Sequence, residues 1–557
     1  MTRAKRWELT TEPPVDPDSP PDIIERLLLK RGFSDLTERE RFLHPRLQDL
    51  ADPLRLPDMA KAVQRVSRAL QLREPILIYS DYDVDGMSSS ALLYRFLVKL
   101  GATVSVFIPE RLSDGYGLSV GGLQRALAAA PASLVIALDC GTTNAGEVRW
   151  LNERGIEVII IDHHELHEAL PAACAFVNPQ RGAHDHILST AGLVFKFCHA
   201  FLKMLQDPSL FNLREHLDFV ALGTVADLVP LLEDNRILVR HGLTQLAGTP
   251  HIGLQALMEV ARVRVEPTPA TVGFVLGPRL NASGRLAEAT AGWELLTTHD
   301  TARATDLARN LNVLNNERQR LELAAYQEAL DLIEKQSPED QAYCLVVAAD
   351  NWHQGVVGIV ASRLQRRFYK PAVVIALNES SGGRGSARCI EGCSIMDALR
   401  DNAGLLKAYG GHAMASGLEI AADRVAEFRL AMNQWFQRSV AAAVYQERIR
   451  IDLALPGRAL TEALAREAMR LQPFGRKNEP PIFRVSQVQL AGQLRTFGQR
   501  HIKFNGVADG VRFSAVGFGL AENIPAAASL DLAGHWEMDD FTGRPVFRII
   551  DWRAAQD

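Results

Sequence analysis

The sequence predicts an α/β protein of several domains: two sheet-and-helix units joined by a long helix, with a small β-barrel at the end. Three observations predict it. Short apolar runs alternate with amphipathic helices from about residue 75 onward, and the same alternation returns over 339–440. Between them, Thr301 to Glu334 contains neither glycine nor proline. From Glu447 onward, short alternating strands and turns follow one another with no helix between them. At 557 residues the chain is too long for one core, and two to four domains are expected.

Composition sets outer limits. A net charge of -5 leaves no global footprint of nucleic-acid binding, so any polyanion site must be local. The opening MTRAKRWELTTEPP has no apolar core for a signal peptide, and no run is apolar enough to span a bilayer. Six cysteines in so large a chain do not make a disulfide framework, and Cys389 and Cys393 lack a second pair for zinc. The expectation is a reduced, cytoplasmic protein.

Taken in order, residues 1–20 are polar and proline-rich, which predicts a loose tail. Helical patterns run from Asp22 to about Leu70. A catalytic domain is expected over 21–300, with strands ILIYS (77–81 region), TVSVFI (103–108), SLVIALD (133–139) and EVIIID (157–162). These runs are almost continuously apolar, as buried parallel strands should be. Residues 301–338 form the connecting helix. Leu307, Leu311, Leu314, Leu321 and Leu332 give it one apolar stripe, and the charged face is expected to be solvated. A second α/β domain covers 339–440, with YCLVVAAD and PAVVIAL as strands, and an OB-type barrel covers 447–557.

The chemistry concentrates where the strands end. ILIYS leads into Asp81, Asp83 and Asp85, with Gly86 before an apolar-periodic helix. Carboxylates so close repel one another, and burying them without a partner costs several kcal/mol. SLVIAL ends in Asp139, EVIII ends in Asp162-His163-His164, and Asp227 stands among uncharged neighbours in FVALGTVADLVPL. Each has a plain structural alternative: an acidic helix cap, a carboxylate satisfied by backbone amides, a core histidine. Repetition at one edge favours a shared ligand, because ligands in open α/β sheets lie beyond the carboxyl ends of the strands. Oxygen-rich ligation with one or two imidazoles suits two Mn²⁺ or Mg²⁺ ions better than zinc. Such a pair acidifies a shared water and neutralises charge on an attacked phosphate.

Other segments carry weaker signals. In PERLSDGYG, Arg111 could clamp a scissile phosphate and Tyr116 could stack on a base; a surface arginine is the alternative. GFVLGPRLNASGRL sets Arg279 and Arg285 around a small-residue turn, a modest anion-site signal. SGGRGSARC offers Ser386 and Arg388 beside glycines, either as a phosphate loop or as a hairpin turn. In the barrel region Arg476, Lys477, Arg484, Arg495, Arg500, His501 and Lys503 are interleaved with Phe497, Phe504 and Phe513. That pattern fits a single-strand track, with core packing the competing explanation for each ring.

DYDVDG, LDCG, DHH and GTVAD together resemble the four motifs of the DHH phosphoesterase superfamily. The chain is most similar to its branch of bacterial RecJ single-strand-specific exonucleases, from the N-terminal helices to the C-terminus. The resemblance implies metal ligands at Asp83, Asp85, Asp139, His163 and Asp227, with Asp139 bridging two ions. Asp81, Asp162 and His164 would be close neighbours that orient ligands or touch the phosphate, and Asp81 could itself meet a metal. The family usually has Glu where this chain has Asp114. In such proteins the segment with Arg279 and Arg285 faces the nucleic acid. SGGRGSARC with AYGGHAMASG looks like the paired motifs of a DHHA1 domain, which implies that Ser386 and Arg388 hold a 5′-phosphate and that His412 lines the same cleft. The implied activity is 5′→3′ hydrolysis of single-stranded DNA to mononucleotides in repair and recombination, with a helicase and a single-strand-binding protein as partners and the chain a monomer. Two alternatives stand beside it: a DHH-type phosphodiesterase for short oligonucleotides or cyclic dinucleotides, and a strand-binding protein with a degenerate centre.

Overall fold

The fold is that of a computed structural model, which describes residues 5–11, 22–110, 114–115, 117–182, 187–286, 289–378, 382–498, 500–521, 527, 529–539 and 542–555. The chain divides into two compact units, one of residues 11–314 with 452–557 and the other of residues 315–451 with 1–10.

In the first unit, five parallel strands lie in the order Val104–Phe107, Ile76–Ser80, Leu134–Leu138, Glu157–Ile161 and Ala175–Val177. The first of these strands in sequence, Ile76–Ser80, is the expected run ILIYS, which occupies residues 76–80. Its neighbours on the two sides come from later in the chain, so the topological switch lies at its carboxyl end. The interior strands are buried on both faces, which explains why alternation is missing from their sequences. Helices Val84–Lys99, Thr190–Leu205 and Leu217–Ala226 pack around this sheet and share its core.

The same unit holds the barrel. Strands Phe483–Leu490, Ser529–Met538, Pro545–Ala554, Val511–Gly517 and His501–Ala508 pair in turn, and Gln489 and Leu490 pair back with Val507 and Gly506. The five-stranded ring is therefore closed, leaving no edge among those strands. Phe504, Phe513, Trp536, Phe547 and Trp552 belong to its core, in one apolar cluster with Leu27, Leu28 and Phe42 from the N-terminal helices. Buried Arg236 ties the barrel's approach segment to the sheet domain. Its guanidinium donates to the carbonyls of Phe42 (2.8 Å), Leu471 (2.9 Å) and Gln472 (2.7 Å) and stacks 3.8 Å from the Phe42 ring.

The second unit has a five-stranded mixed sheet, ordered Leu406–His412, Ala415–Ile420, Gly382–Arg388, Ala372–Asn378 and Leu345–Asp350. Four expectations are corrected here. The glycine-rich residues Gly382–Arg388 form a strand and not a loop; a Cβ at Gly383 would lie 2.6 Å from Ile375, and one at Gly385 3.0 Å from Ile375 and 3.1 Å from Leu418. Part of the expected tail is ordered, since Arg6–Leu9 pairs in parallel with Arg448–Ile451. That pairing takes the first strand assigned to the barrel domain into the second unit. The helix Thr301–Lys335 spans about 50 Å at ~1.5 Å per residue. Its polar side is not wholly solvated, because Asn315 and Arg318 are buried and Arg318 pairs with Glu322 at 2.7 Å.

Candidate metal and phosphoester site

The site grows out of the sheet register. Ser80, Leu138, Ile161 and Val177 stand in one row across four strands. One residue later the ladder continues: Asp81 N–H donates to Leu138 O, Asp139 N–H to Ile161 O and Asp162 N–H to Val177 O. Backbone pairing thus sets three aspartates in adjacent positions at the sheet's carboxyl edge. Asp139 turns out of the row with φ +60°, a left-handed conformation uncommon for a residue with a side chain and frequent at functional sites.

Asp83 caps the helix Val84–Lys99, accepting from Asp85 N (2.9 Å) and Gly86 N (3.0 Å). Gly86 is required there, since a Cβ would lie 2.3 Å from Asp81 O. Asp85 is 1% exposed and accepts from the amides that begin helix Thr190–Leu205, Thr190 N at 2.7 Å and Ala191 N at 2.9 Å. The Thr190 hydroxyl donates to Asp139 Oδ1 at 2.9 Å. Asp227 follows the last turn of helix Leu217–Ala226, so it arrives from a helix end and not from a strand end as the motif pattern suggested.

Three sets of ligand atoms each lie within 4.8 Å of one another: Asp81, Asp83 and Asp139; Asp85, His163 and Asp227; Asp139, Asp162, His163 and His164. Asp139 is common to two of them. Burial, then the charges of Asp227 and Asp83, push the Asp85 carboxyl up to about 7. Burial followed by the Asp83 charge does the same for Asp227, to about 7, and Asp139 is driven well above the carboxylate range by burial and by Asp83. His163 is held below its ordinary value by burial. Its Nε2 is enclosed without a hydrogen bond, 3.3 Å from Asp139 Oδ1 and 3.4 Å from Asp227 Oδ2. A neutral imidazole nitrogen facing crowded carboxylate oxygens is the donor set of a hard divalent cation, so the residues fit Mn²⁺ or Mg²⁺.

Asp162 and His164 behave differently. Burial opposes both charges, but their 2.6 Å contact outweighs it, lowering Asp162 far below the carboxylate range and raising His164 to about 9. Their contact favours the charged form of each. Asn178 and Gln180 hold the backbone carbonyls of His164 (3.0 Å) and His163 (2.7 Å).

The remaining predicted residues fall into separate groups. Arg111 and Tyr116 lie outside the described residues. Arg279 is tied to Val275 O (2.6 Å) and Asn312 Oδ1 (3.1 Å), while Arg285 sits at the end of the helix Gly277–Leu286, beside Gly284, which meets Tyr82. In the second unit, Arg388 Nη2 and Ser386 Oγ both approach Gly358, 3.0 and 3.3 Å from where a Cβ would sit if that residue had one, and His412 is in register with Ala415, itself paired with Arg388. Of the basic track, Arg476 and Lys477 are not on the barrel wall. Arg476 bonds Leu228 O (3.3 Å), and its charge acts on Asp227. Arg495 and Lys503 are a cross-strand pair, with Arg500 exposed in the connection between their strands. Phe504 and Phe513 are core residues, whereas Phe497 is 41% exposed.

Sequence reasoning missed Thr190 and Ala191, which seat Asp85 and Asp139; Ser189 before an apolar run marks a helix start but not what that start is aimed at. It also missed Gly223, whose Cβ would fall 2.3 Å from Asp85 Oδ1, and Phe518, 53% exposed and 5.3 Å from the His501 ring.

A parallel sheet carrying this Asp/His set at its carboxyl edge is the architecture of a DHH phosphoesterase. The chain matches the DHH family, N-terminal domain, over residues 75–224, the DHHA1 domain over 341–438 and the RecJ OB domain over 451–550. It is 35% identical over 567 residues to the single-stranded-DNA-specific exonuclease RecJ of Dickeya dadantii, covering 96% of both chains. It is 34% identical over 543 residues to that of Bacillus subtilis, covering 96% of this chain and 68% of the relative. The crystal structure of Thermus thermophilus RecJ in complex with Mn²⁺ superposes with TM-score 0.84 at 29% identity, covering 100% of this chain and 81% of that one. The chain belongs to the RecJ family of single-stranded-DNA-specific exonucleases.

Proposed function

We propose that the chain is a divalent-cation-dependent exonuclease that degrades single-stranded DNA from its 5′ end to mononucleotides. The observation that carries this reading is the row Asp81–Asp139–Asp162 set by backbone pairing at the sheet edge, with Asp85, His163 and Asp227 forming a ligand cluster that shares His163 with Asp139 and Asp162. When bound at Asp83, Asp85, Asp139, His163 and Asp227, two Mn²⁺ or Mg²⁺ ions neutralise charge at the phosphate and acidify a water.

The chain's own groups do the rest. Thr190 and Ala191 fix Asp85, and Thr190 fixes Asp139, so the carboxylates meet substrate already oriented. His164, kept protonated by Asp162, offers positive charge and a proton to the phosphate and leaving oxygen. Arg111 is assigned to the scissile phosphate. Ser386, Arg388 and His412 are assigned to the strand's 5′-phosphate, on one sheet of the second unit. On the barrel, the exposed rings of Phe497 and Phe518 flank His501, with Arg495 and Lys503 beside them, a surface suited to stacked bases and a phosphate backbone. A cytoplasmic monomer working with a helicase and a strand-binding protein completes the proposal. Among the described residues no helix is long and apolar enough to cross a membrane.

The test compares a long 5′-phosphorylated single strand, its duplex and a dinucleotide, each with Mn²⁺ and after chelation. The expected result is mononucleotide release from the 5′ end of the single strand, lost on chelation. Faster turnover of the dinucleotide would instead indicate a small-molecule phosphodiesterase, and binding without cleavage a strand-holding protein.

A further inference from the structure

Two cysteines outside the metal site stand in contact. Cys389 follows the strand that carries Ser386 and Arg388, and Cys393 closes the five-residue turn CIEGC. Their sulfurs are 2.9 Å apart, longer by less than ~1 Å than a covalent S–S bond. The turn is anchored on both sides: Cys389 N–H donates to Met414 O and Ile395 N–H to Ala413 O, both at 2.9 Å. Gly392 reverses the chain with φ +92°. Cys389 is 3% exposed, whereas Cys393 is half-buried beside exposed Glu391 and Gly392. The two thiols therefore differ in access while touching each other.

We propose that Cys393 and Cys389 are a peroxide-reactive dithiol, in which accessible Cys393 is the attacking sulfur and buried Cys389 resolves it to an intramolecular disulfide. The Cys393 thiolate attacks one oxygen of a hydroperoxide. An S–O bond forms, the O–O bond breaks, and the departing oxygen leaves as water or an alcohol after taking a proton. The Cys389 sulfur then attacks Cys393, an S–S bond forms, the S–O bond breaks, and hydroxide leaves with the Cys389 proton as water. Two sulfurs are oxidised by two electrons in all, and one peroxide is reduced.

The surroundings select this pair over the other cysteines. The hydrogen bond from the Cys389 thiol lowers the Cys393 thiol below its ordinary value. Burial pushes Cys140, Cys198 and Cys344 up, and Cys174 up to about 11. The disulfide would lock the turn between the strand bearing Ser386 and Arg388 and the hairpin bearing His412. The dithiol chemistry stands whether or not those residues bind a 5′-phosphate.

The test treats the full, reduced chain with hydrogen peroxide and maps its peptides without reduction. The expected result is loss of two thiols out of six, a Cys389–Cys393 cross-link, and recovery of both thiols with dithiothreitol. C389S should stop at a sulfenic acid on Cys393 that dimedone captures, and C393S should leave Cys389 unreacted. A cross-link to Cys344, oxidation of Cys174 at the same rate, or sulfinic acid at Cys393 in the wild-type chain without a cross-link would overturn the proposal. The wild-type mapping decides even if a variant folds poorly.

Discussion

Replacing Gly223 with alanine puts a methyl carbon 2.3 Å from Asp85 Oδ1, 2.8 Å from Ala191 Cβ and 3.3 Å from Asp85 Cα. Asp85 cannot swing away cheaply, because both its oxygens are held by the amides of Thr190 and Ala191 at 2.7 and 2.9 Å. Ordinary carbon–oxygen contact therefore requires the carboxylate, or the helix behind it, to move by roughly 1 Å. A displacement of that size in a catalytic arrangement costs on the order of 100-fold in rate. The stability cost should be small by comparison. Overpacking a buried site costs ~1–3 kcal/mol, and about 1 kcal/mol returns because alanine favours the helix over glycine. The assay is release of acid-soluble nucleotide from a single strand at saturating Mn²⁺, paired with a thermal melt. A Gly223→Ala chain that keeps its melting temperature within a few degrees and loses about two orders of magnitude in kcat is expected. Activity within a few-fold of wild type would refute the placement of Asp85 in the machinery.

Three further predictions test other parts of the account. Arg236→Met should leave the carbonyls of Phe42, Leu471 and Gln472 without their donor, at about 1–3 kcal/mol for each group that stays buried; urea unfolding and limited proteolysis near residue 472 should both register the loosened barrel. Phe518→Ala should weaken single-strand binding roughly 5- to 150-fold, from ~1–3 kcal/mol per stacked base, with kcat on a very short strand unchanged; equal loss on both would remove Phe518 from the track. Asp218, buried and pushed up to about 7, holds its proton longer when folded than unfolded, so stability it contributes below pH ~4 is lost as pH rises through 7. The neighbouring His216 and His251 are lowered by burial to about 3 and about 4 and act with the opposite sign, but only below about pH 6.5. Between pH 6.5 and 8.5 the wild type should therefore lose ~1 kcal/mol that Asp218→Asn does not; parallel slopes in urea titrations would contradict this.

How much of this could be read from the chain depended on whether a residue's role is local. The strands were legible because parallel, doubly buried segments must be continuously apolar, and Asp81, Asp139 and Asp162 were legible because each directly follows such a run. Asp227 was found by its motif but misplaced as a strand end, since an apolar stretch flanking a carboxylate reads alike in a buried helix and a buried strand. Thr190, Ala191 and Gly223 were invisible because their contacts to Asp85 span about a hundred positions or more. Gly382–Arg388 was misread because glycine in a strand is legible only from the neighbouring strands that crowd it, here Ile375 and Leu418. Among the rings of the barrel, position decided the outcome: Phe504 and Phe513 fall on the buried face of alternating strands, while Phe497 lies on a short strand exposed throughout and Phe518 just past the end of Val511–Gly517.

The most direct measurement is a Mn²⁺ titration of the cation-free chain followed by electron paramagnetic resonance, in wild type and in Asp139→Ala. Convergence of Asp83, Asp85, Asp139, His163 and Asp227 predicts two ions in magnetic contact in the wild type, and loss of that coupling in Asp139→Ala with secondary structure unchanged. A single uncoupled ion in the wild type, or an unaltered coupled pair in Asp139→Ala, would contradict it.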